Sequence, residues 1–179
     1  MTDAPSTTQA TGMQEAFRVF FEEQFDYVHR SLRRLGVHER DLEDVTHDVF
    51  LAIHGAWERF DASRPAKPWL FAFAFRFASD YRRLARHRLV PTADVDLAHD
   101  QPGADVALAD LAKRELVQRA LDTLDLDRRA VLVLHDVDEV PVPEIAAALG
   151  IPLNTAYSRL RLAREALSAA VTRLRARQR

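Results

Sequence analysis

"PWLFAFAFRFASDYRRLARHR", residues 68–88, admits two readings, and the architecture of the chain depends on which holds. Phe71, Phe73, Phe75 and Phe77 alternate as the side chains of a half-buried strand would. Counted from Leu70, however, helical spacing lands on Phe73, Ala74, Phe77, Ala78 and Tyr81 and runs on to Leu84 and Ala85. The alternation also breaks at Ser79, where the next apolar residue is due. Pro68 suits a first helical turn, where its missing N–H removes no bond. The stretch is therefore predicted to be an amphipathic helix. Phe71 and Phe75 fall off its apolar stripe, with the arginines following on the outer surface. Aromatic rings beside cations on an open helix face can stack unpaired bases while the cations hold phosphates. A helix buried on two sides with a solvated basic end is the alternative that periodicity leaves open.

Apolar residues recur at three and four in the flanking sequence as well, and only 5 of 179 residues are glycine, so the whole chain is expected to be all-α. It is 47% hydrophobic and 29% charged, enough apolar material for one domain or two small ones. Cysteine is absent, which removes disulfides and thiolate zinc sites and suits a reducing, cytoplasmic setting. The N-terminus has no basic start followed by an apolar stretch, and no apolar run approaches the ~20 residues of a membrane span. Neither secretion nor membrane insertion is expected.

The net charge of −2 conceals a strong segregation along the chain. Residues 71–88 carry Arg76, Arg82, Arg83, Arg86 and Arg88 against Asp80, and residues 151–179 carry seven arginines against Glu165. Between them, "PTADVDLAHDQPGADVALAD" (91–110) combines Asp94, Asp96, Asp100, Asp105 and Asp110 with Pro91, Pro102 and Gly103. That composition marks a flexible acidic linker. The expected organisation is a disordered polar N-terminus (1–13), a first helical domain (14–90), the linker (91–107) and a second helical domain (108–179).

The second basic segment is the more specific. In "VPEIAAALGIPLNTAYSRLRLAREAL" (142–167), a short helix through Ile145 and Leu149 meets Gly150, and a second helix starts after Pro152 near Asn154 or Thr155. This is the pattern of a helix-turn-helix. Ala156, Leu160, Ala163 and Leu167 form a narrow inward stripe, which turns Asn154, Ser158, Arg161, Leu162 and Glu165 outward with Tyr157, Arg159 and Arg164 on the flanks. Such a helix fits the major groove, its arginines suited to guanine edges or phosphates. A plain helical hairpin with a basic surface is the blander reading.

Together, "DLEDVTHDVFLAIHGAWERFD…PWLFAFAFRFASDYRR" and "ALDTLDLDRRAVLVLHDVDEVPVPEIAAALGIPLNTAYSRLRLAREAL" resemble the two domains of the extracytoplasmic-function sigma factors of bacterial RNA polymerase. The resemblance implies a non-catalytic subunit, without cofactor or metal, whose partners are core RNA polymerase and promoter DNA; members are often held by an anti-sigma factor. By resemblance, Asp44, His47, Asp48 and Phe50 form the polymerase-binding segment. Ser63, Arg64 and Lys67 in the loop "DASRPAK" (61–67), with Phe75, Arg76, Asp80, Arg82 and Arg83 on the following helix, face the −10 element. Asn154, Thr155, Tyr157, Ser158, Arg159, Arg161, Leu162 and Arg164 face the −35 element. His47, Arg76, Tyr157 and Leu162 depart from the family's commoner glutamine, asparagine, lysine and arginine, and the linker is implied to run through the polymerase interior.

Two other classes are consistent with parts of the pattern. A two-domain helix-turn-helix regulator binding duplex DNA as a dimer would need palindromic sites and no polymerase. An enzyme is the more distant reading. Asp44, His47 and Asp48 share a helical face with His54 two turns on, but no His-Glu-x-x-His spacing or glycine-rich phosphate loop is present. His29, His38, His87, His99 and His135 read as isolated surface or capping residues.

Overall fold

The computed structural model describes residues 7–87 and 105–177, which form seven α-helices and no strand among them. Much of the 91–107 linker and Arg88 lie outside the described residues. The helices are α1 (Thr7–Leu35), α2 (Leu42–Gly55), α3 (Ala66–His87), α4 (Asp105–Asp122), α5 (Leu126–Leu132), α6 (Val142–Leu149) and α7 (Leu153–Arg177). The chain divides into two compact units, residues 1–78 and 79–179. No helix among the described residues is long and apolar enough to cross a membrane. Helix α1 already runs through residues 7–13, a stretch whose composition suggested a disordered tail, and α4 begins within the last residues assigned to the linker.

In the first unit, α1 ends at Gly36, whose φ of 92° lets Val37 N–H turn back to the Leu32 carbonyl at 3.1 Å. Val28, Leu32 and Leu35 of α1, Leu42, Val49 and Ile53 of α2, and Leu70, Phe71, Ala74 and Ala78 of α3 are buried together as its core. The phase of α3 differs from the sequence expectation. Phe71 is fully buried, whereas Phe73 and Phe77 are only half-buried. With alanines at 74 and 78, the core line is anchored by the adjacent pair Leu70 and Phe71. Counting from Leu70 alone could not reveal that its neighbour on the C-terminal side was also inside.

In the second unit, Asp125 caps α5, its Oδ1 accepting from Arg128 N–H at 2.9 Å. The chain then passes through a π turn, Val133–Val137, into α6. Gly150, at φ 64°, closes α6, and Ile151 N–H reaches the Ala146 carbonyl at 3.0 Å. A residue with a Cβ is disfavoured in that left-handed conformation, which is why glycine ends the helix and aims α7. Ala156, Leu160, Ala163 and Ala170 of α7 are buried, as are Val131 and Leu134 before α6 and Ile145 in it. The small residues of α7 allow its neighbours to approach closely.

Arg129 is only 1% exposed, an unusual place for a guanidinium. It donates to Asp122 Oδ1 at 3.0 Å and to the Leu124 carbonyl at 3.2 Å. Burial pushes its pKa below the usual arginine value while Asp122 pulls it back. It fastens the α4–α5 corner that supports α7.

Candidate polymerase and nucleic-acid interfaces

The acidic segment of α2 is sorted by helical phase. Thr46, Val49, Phe50 and Ile53 face inward, leaving Asp44, His47 and Asp48 exposed together on the opposite side. Phe50, expected on the binding face, is 3% exposed. Its ring meets Phe21 edge-on at 4.7 Å and stacks at 6.2 Å on Phe25. It therefore supports the face from beneath. One turn beyond His47 and Asp48 stands Leu51, 71% exposed, which the sequence reading passed over. Its spacing of seven from Asp44 and three from Asp48 was the available signal. The exposed side of α2 thus carries two carboxylates, an imidazole and one apolar side chain. His47 Nδ1 lies 3.0 Å from the Glu43 carbonyl, and its ring sits by Phe21 and Phe25. His54 packs edge-on against Phe17 at 4.7 Å. Both histidines are accounted for by ring packing on α1.

Helix α3 presents a second surface. Trp69, Phe73, Arg76, Asp80 and Arg83 recur at alternating intervals of four and three, so they line one face opposite the Leu70–Phe71–Ala74–Ala78 core. Trp69 and Phe73 meet edge-on at 5.1 Å, and the Arg76 guanidinium lies over the Phe73 ring, 5.7 Å from its centroid. Arg83 donates to Asp80 at 3.1 Å. The aromatic ring beneath Arg76 is therefore Phe73, with Trp69 packed against that ring. Phe75, expected in that role, is half-buried with Arg82 on the adjoining flank, and Phe71 is in the core. The aromatic line continues from Trp69 to Phe60 at 5.1 Å and on to Trp57 and Phe20.

The loop before α3 is locally ordered by Asp61. Its Oδ1 accepts from Ser63 N–H at 3.0 Å and from Ser63 Oγ at 2.6 Å, and Arg64 approaches its other oxygen at 3.5 Å. The Ser63 bonds, more than the nearby Arg64, hold the Asp61 carboxyl below the usual carboxylate range. Arg64 and Lys67 stand exposed, Lys67 5.9 Å from the Tyr27 ring centroid.

In the helix-turn-helix, Asn154, Tyr157, Ser158 and Arg161 project from α7. Thr155 and Leu162 are half-buried, and Ser158 Oγ donates to the Thr155 carbonyl at 3.0 Å. The three arginines of this part of α7 differ. Arg161 donates to Glu165 one turn on, at 2.7 Å. Arg159 turns back to Asp127 in the first turn of α5, at 2.6 Å. Arg164 forms two bonds to Asp136, Nε at 3.0 Å and Nη2 at 2.5 Å, with His135 Nδ1 3.1 Å from the same Nη2. These bonds hold the Asp136 carboxyl below the usual range, Arg164 first and His135 after it, and raise the Arg164 guanidinium. Arg159 and Arg164, expected among the DNA contacts, are thus engaged with carboxylates of their own unit.

The sigma-70 region 2 family matches residues 20–88 and the sigma-70 region 4 family matches residues 114–167. The chain is 30% identical over 172 residues to the RNA polymerase sigma factor NccH of Alcaligenes xylosoxydans xylosoxydans, covering 93% of this chain and 92% of that one. It is 28% identical over 167 residues to the ECF RNA polymerase sigma-E factor of Escherichia coli K12, covering 87% and 86%. Among solved structures, CnrH in complex with the cytosolic domain of CnrY superposes with a TM-score of 0.62 at 30% identity, covering 91% of this chain and 92% of that one.

Proposed function

We infer how this chain works from the family to which it belongs, the extracytoplasmic-function branch of the sigma-70 factors: it is a sigma factor that directs transcription initiation. On this reading residues 14–90 dock on core RNA polymerase and open the −10 element, and residues 108–179 read the −35 element in duplex form. The acidic stretch 91–107 connects the two activities. The protein acts as a non-catalytic specificity subunit in the cytoplasm.

Asp44, His47 and Asp48 meet the polymerase, with Leu51 as apolar anchor and Phe50 bracing them from below. Arg76 and Arg83 hold the phosphates of the separated −10 strand, Trp69 and Phe73 stack its bases, and Asp80 orients Arg83. Ser63, Arg64 and Lys67 in the preceding loop receive an unstacked base, while Phe75 and Arg82 flank the path. Asn154, Tyr157, Ser158 and Arg161 enter the major groove at −35. Thr155 and Leu162 border that contact, and Arg159 and Arg164, held by Asp127 and Asp136, flank it. An anti-sigma factor that holds the free protein is the further partner; CnrH, to which the chain is similar, is seen in complex with the cytosolic domain of CnrY.

The observation that carries this reading is the Trp69–Phe73–Arg76–Asp80–Arg83 line on α3. Aromatic rings interleaved with cations suit unpaired bases, and a regulator that binds closed duplex has no use for them. The test is a pull-down of the full chain with core RNA polymerase, followed by run-off transcription on genomic fragments. Defined transcripts that require the chain are expected. Duplex binding at palindromic sites without association with polymerase would favour the dimeric regulator instead.

A further inference from the structure

Building on the assignment of α7 as the −35 helix, we propose that Leu153 and Tyr157 read thymine, so that this protein's −35 element carries A·T pairs opposite the first turns of α7. Leu153 is 44% exposed and Tyr157 52% exposed. They stand one turn apart on the flank that adjoins Asn154, Ser158 and Arg161. Two large side chains left in water beside the groove-facing residues can bury their apolar surface against an apolar group in the groove. Base edges in the major groove carry hydrogen-bonding atoms throughout, and the apolar group they add is the thymine C5-methyl.

The polar residues point the same way. Asn154 is exposed at the start of α7, and asparagine pairs in bidentate fashion with the N6 and N7 of adenine. Guanine is read chiefly by arginine, yet Arg159 and Arg164 are turned back onto Asp127 and Asp136. Arg161 shares the groove-facing side with the Glu165 carboxylate that it bonds. The leading turns of α7 are therefore poor in guanine readers and rich in groups that suit adenine and thymine.

The experiment uses holoenzyme assembled from the full chain and core polymerase. Promoters with a randomised −35 segment above a fixed −10 are selected for binding, and each enriched thymine is then replaced by deoxyuridine, which removes the methyl alone. Enrichment of A·T pairs is expected. At one or more thymines the replacement should weaken wild-type binding about fourfold, the worth of one buried methyl group. Tyr157→Ala should lose the discrimination at the thymine its ring covers, Leu153→Ala should lose it at its own, and Tyr157→Phe should keep the wild-type discrimination because the ring remains. Deoxyuridine that is neutral at every position while Tyr157→Ala weakens binding overturns the proposal, since the ring would then serve the DNA backbone or a polymerase surface. Loss of discrimination in Tyr157→Phe overturns it too, by assigning the effect to the hydroxyl. A holoenzyme that opens the −10 region but selects no −35 sequence removes the assignment of α7 itself, and the proposal with it.

Discussion

Asp136→Asn should strengthen the salt dependence of promoter binding, because in the free protein Asp136 occupies the guanidinium that a phosphate would take. Arg164 makes two bonds to this carboxylate, and its side chain is 52% exposed against 31% for Asp136. Exposure of that degree leaves the pair screened, so the substitution should cost the fold only about 0.5–1 kcal/mol. Released from Asp136, Arg164 is available for one further phosphate, which steepens the slope of log K against log salt by about 0.9. Raising salt from about 50 to 200 mM should then cost the variant about 3.5-fold more affinity than wild type. The assay is fluorescence anisotropy of holoenzyme on a labelled promoter across a salt series. Arg164→Ala and the double variant Asp136→Asn with Arg164→Ala should share one slope, since the released group is gone from both. Equal slopes for wild type and Asp136→Asn would refute the reasoning, and so would a shallower slope in the variant, which would mean that Asp136 orients Arg164 for DNA. The same pair has a pH signature. A carboxyl held below its ordinary pKa contributes stability that is complete above about pH 4 and is lost as pH falls through the lower folded value. Wild type should therefore lose more thermal stability than Asp136→Asn over that acid range.

Asp48→Arg should abolish association with core polymerase in a pull-down without changing far-UV helicity, because reversing a charge at an interface costs several kcal/mol; surviving association would remove the α2 assignment. Leu51→Ala should weaken the same association by about 1.5–3 kcal/mol while the urea midpoint stays put, since the side chain is buried only by the partner. Phe71→Ala should destabilise the first unit by about 3–5 kcal/mol, and Phe73→Ala by clearly less because its ring is half-buried; equal losses in chemical denaturation would contradict the phase of α3. Arg76→Ala with Arg83→Ala should prevent permanganate-detected opening at −10 on ordinary promoters, with recovery on a template carrying a pre-opened bubble; normal opening by the double variant would reduce these arginines to a solvated helix end.

Much of the architecture was legible before any coordinates, because it depends on local interactions. Recurrence at three and four marked the helices. Gly150 after a short apolar helix, and Pro152 before the next, marked the helix-turn-helix, since both act through the backbone of their own neighbourhood. The charge blocks were equally plain, and the exposed Asp44, Asp48, Arg76, Arg83 and Arg161 lie on the surface where charged groups must.

What tertiary structure alone decided is which member of each near-equivalent pair faces inward and which charges are already engaged. Phe71 and Phe73 are both phenylalanines on an amphipathic helix, and only the position of α1 and α2 selects the first for the core. Phe50 and Leu51 are adjacent, and packing on Phe21 and Phe25 buries one and leaves the other in water. Arg159, Arg161 and Arg164 look alike in a string of letters. Their partners lie 32, 4 and 28 residues away, so that two of the three pairings exist only once α5 and the turn after it have been folded against α7. Periodicity reports on a residue's own helix. A contact made across many residues of chain depends on how several helices pack at once, and no local pattern contains that information.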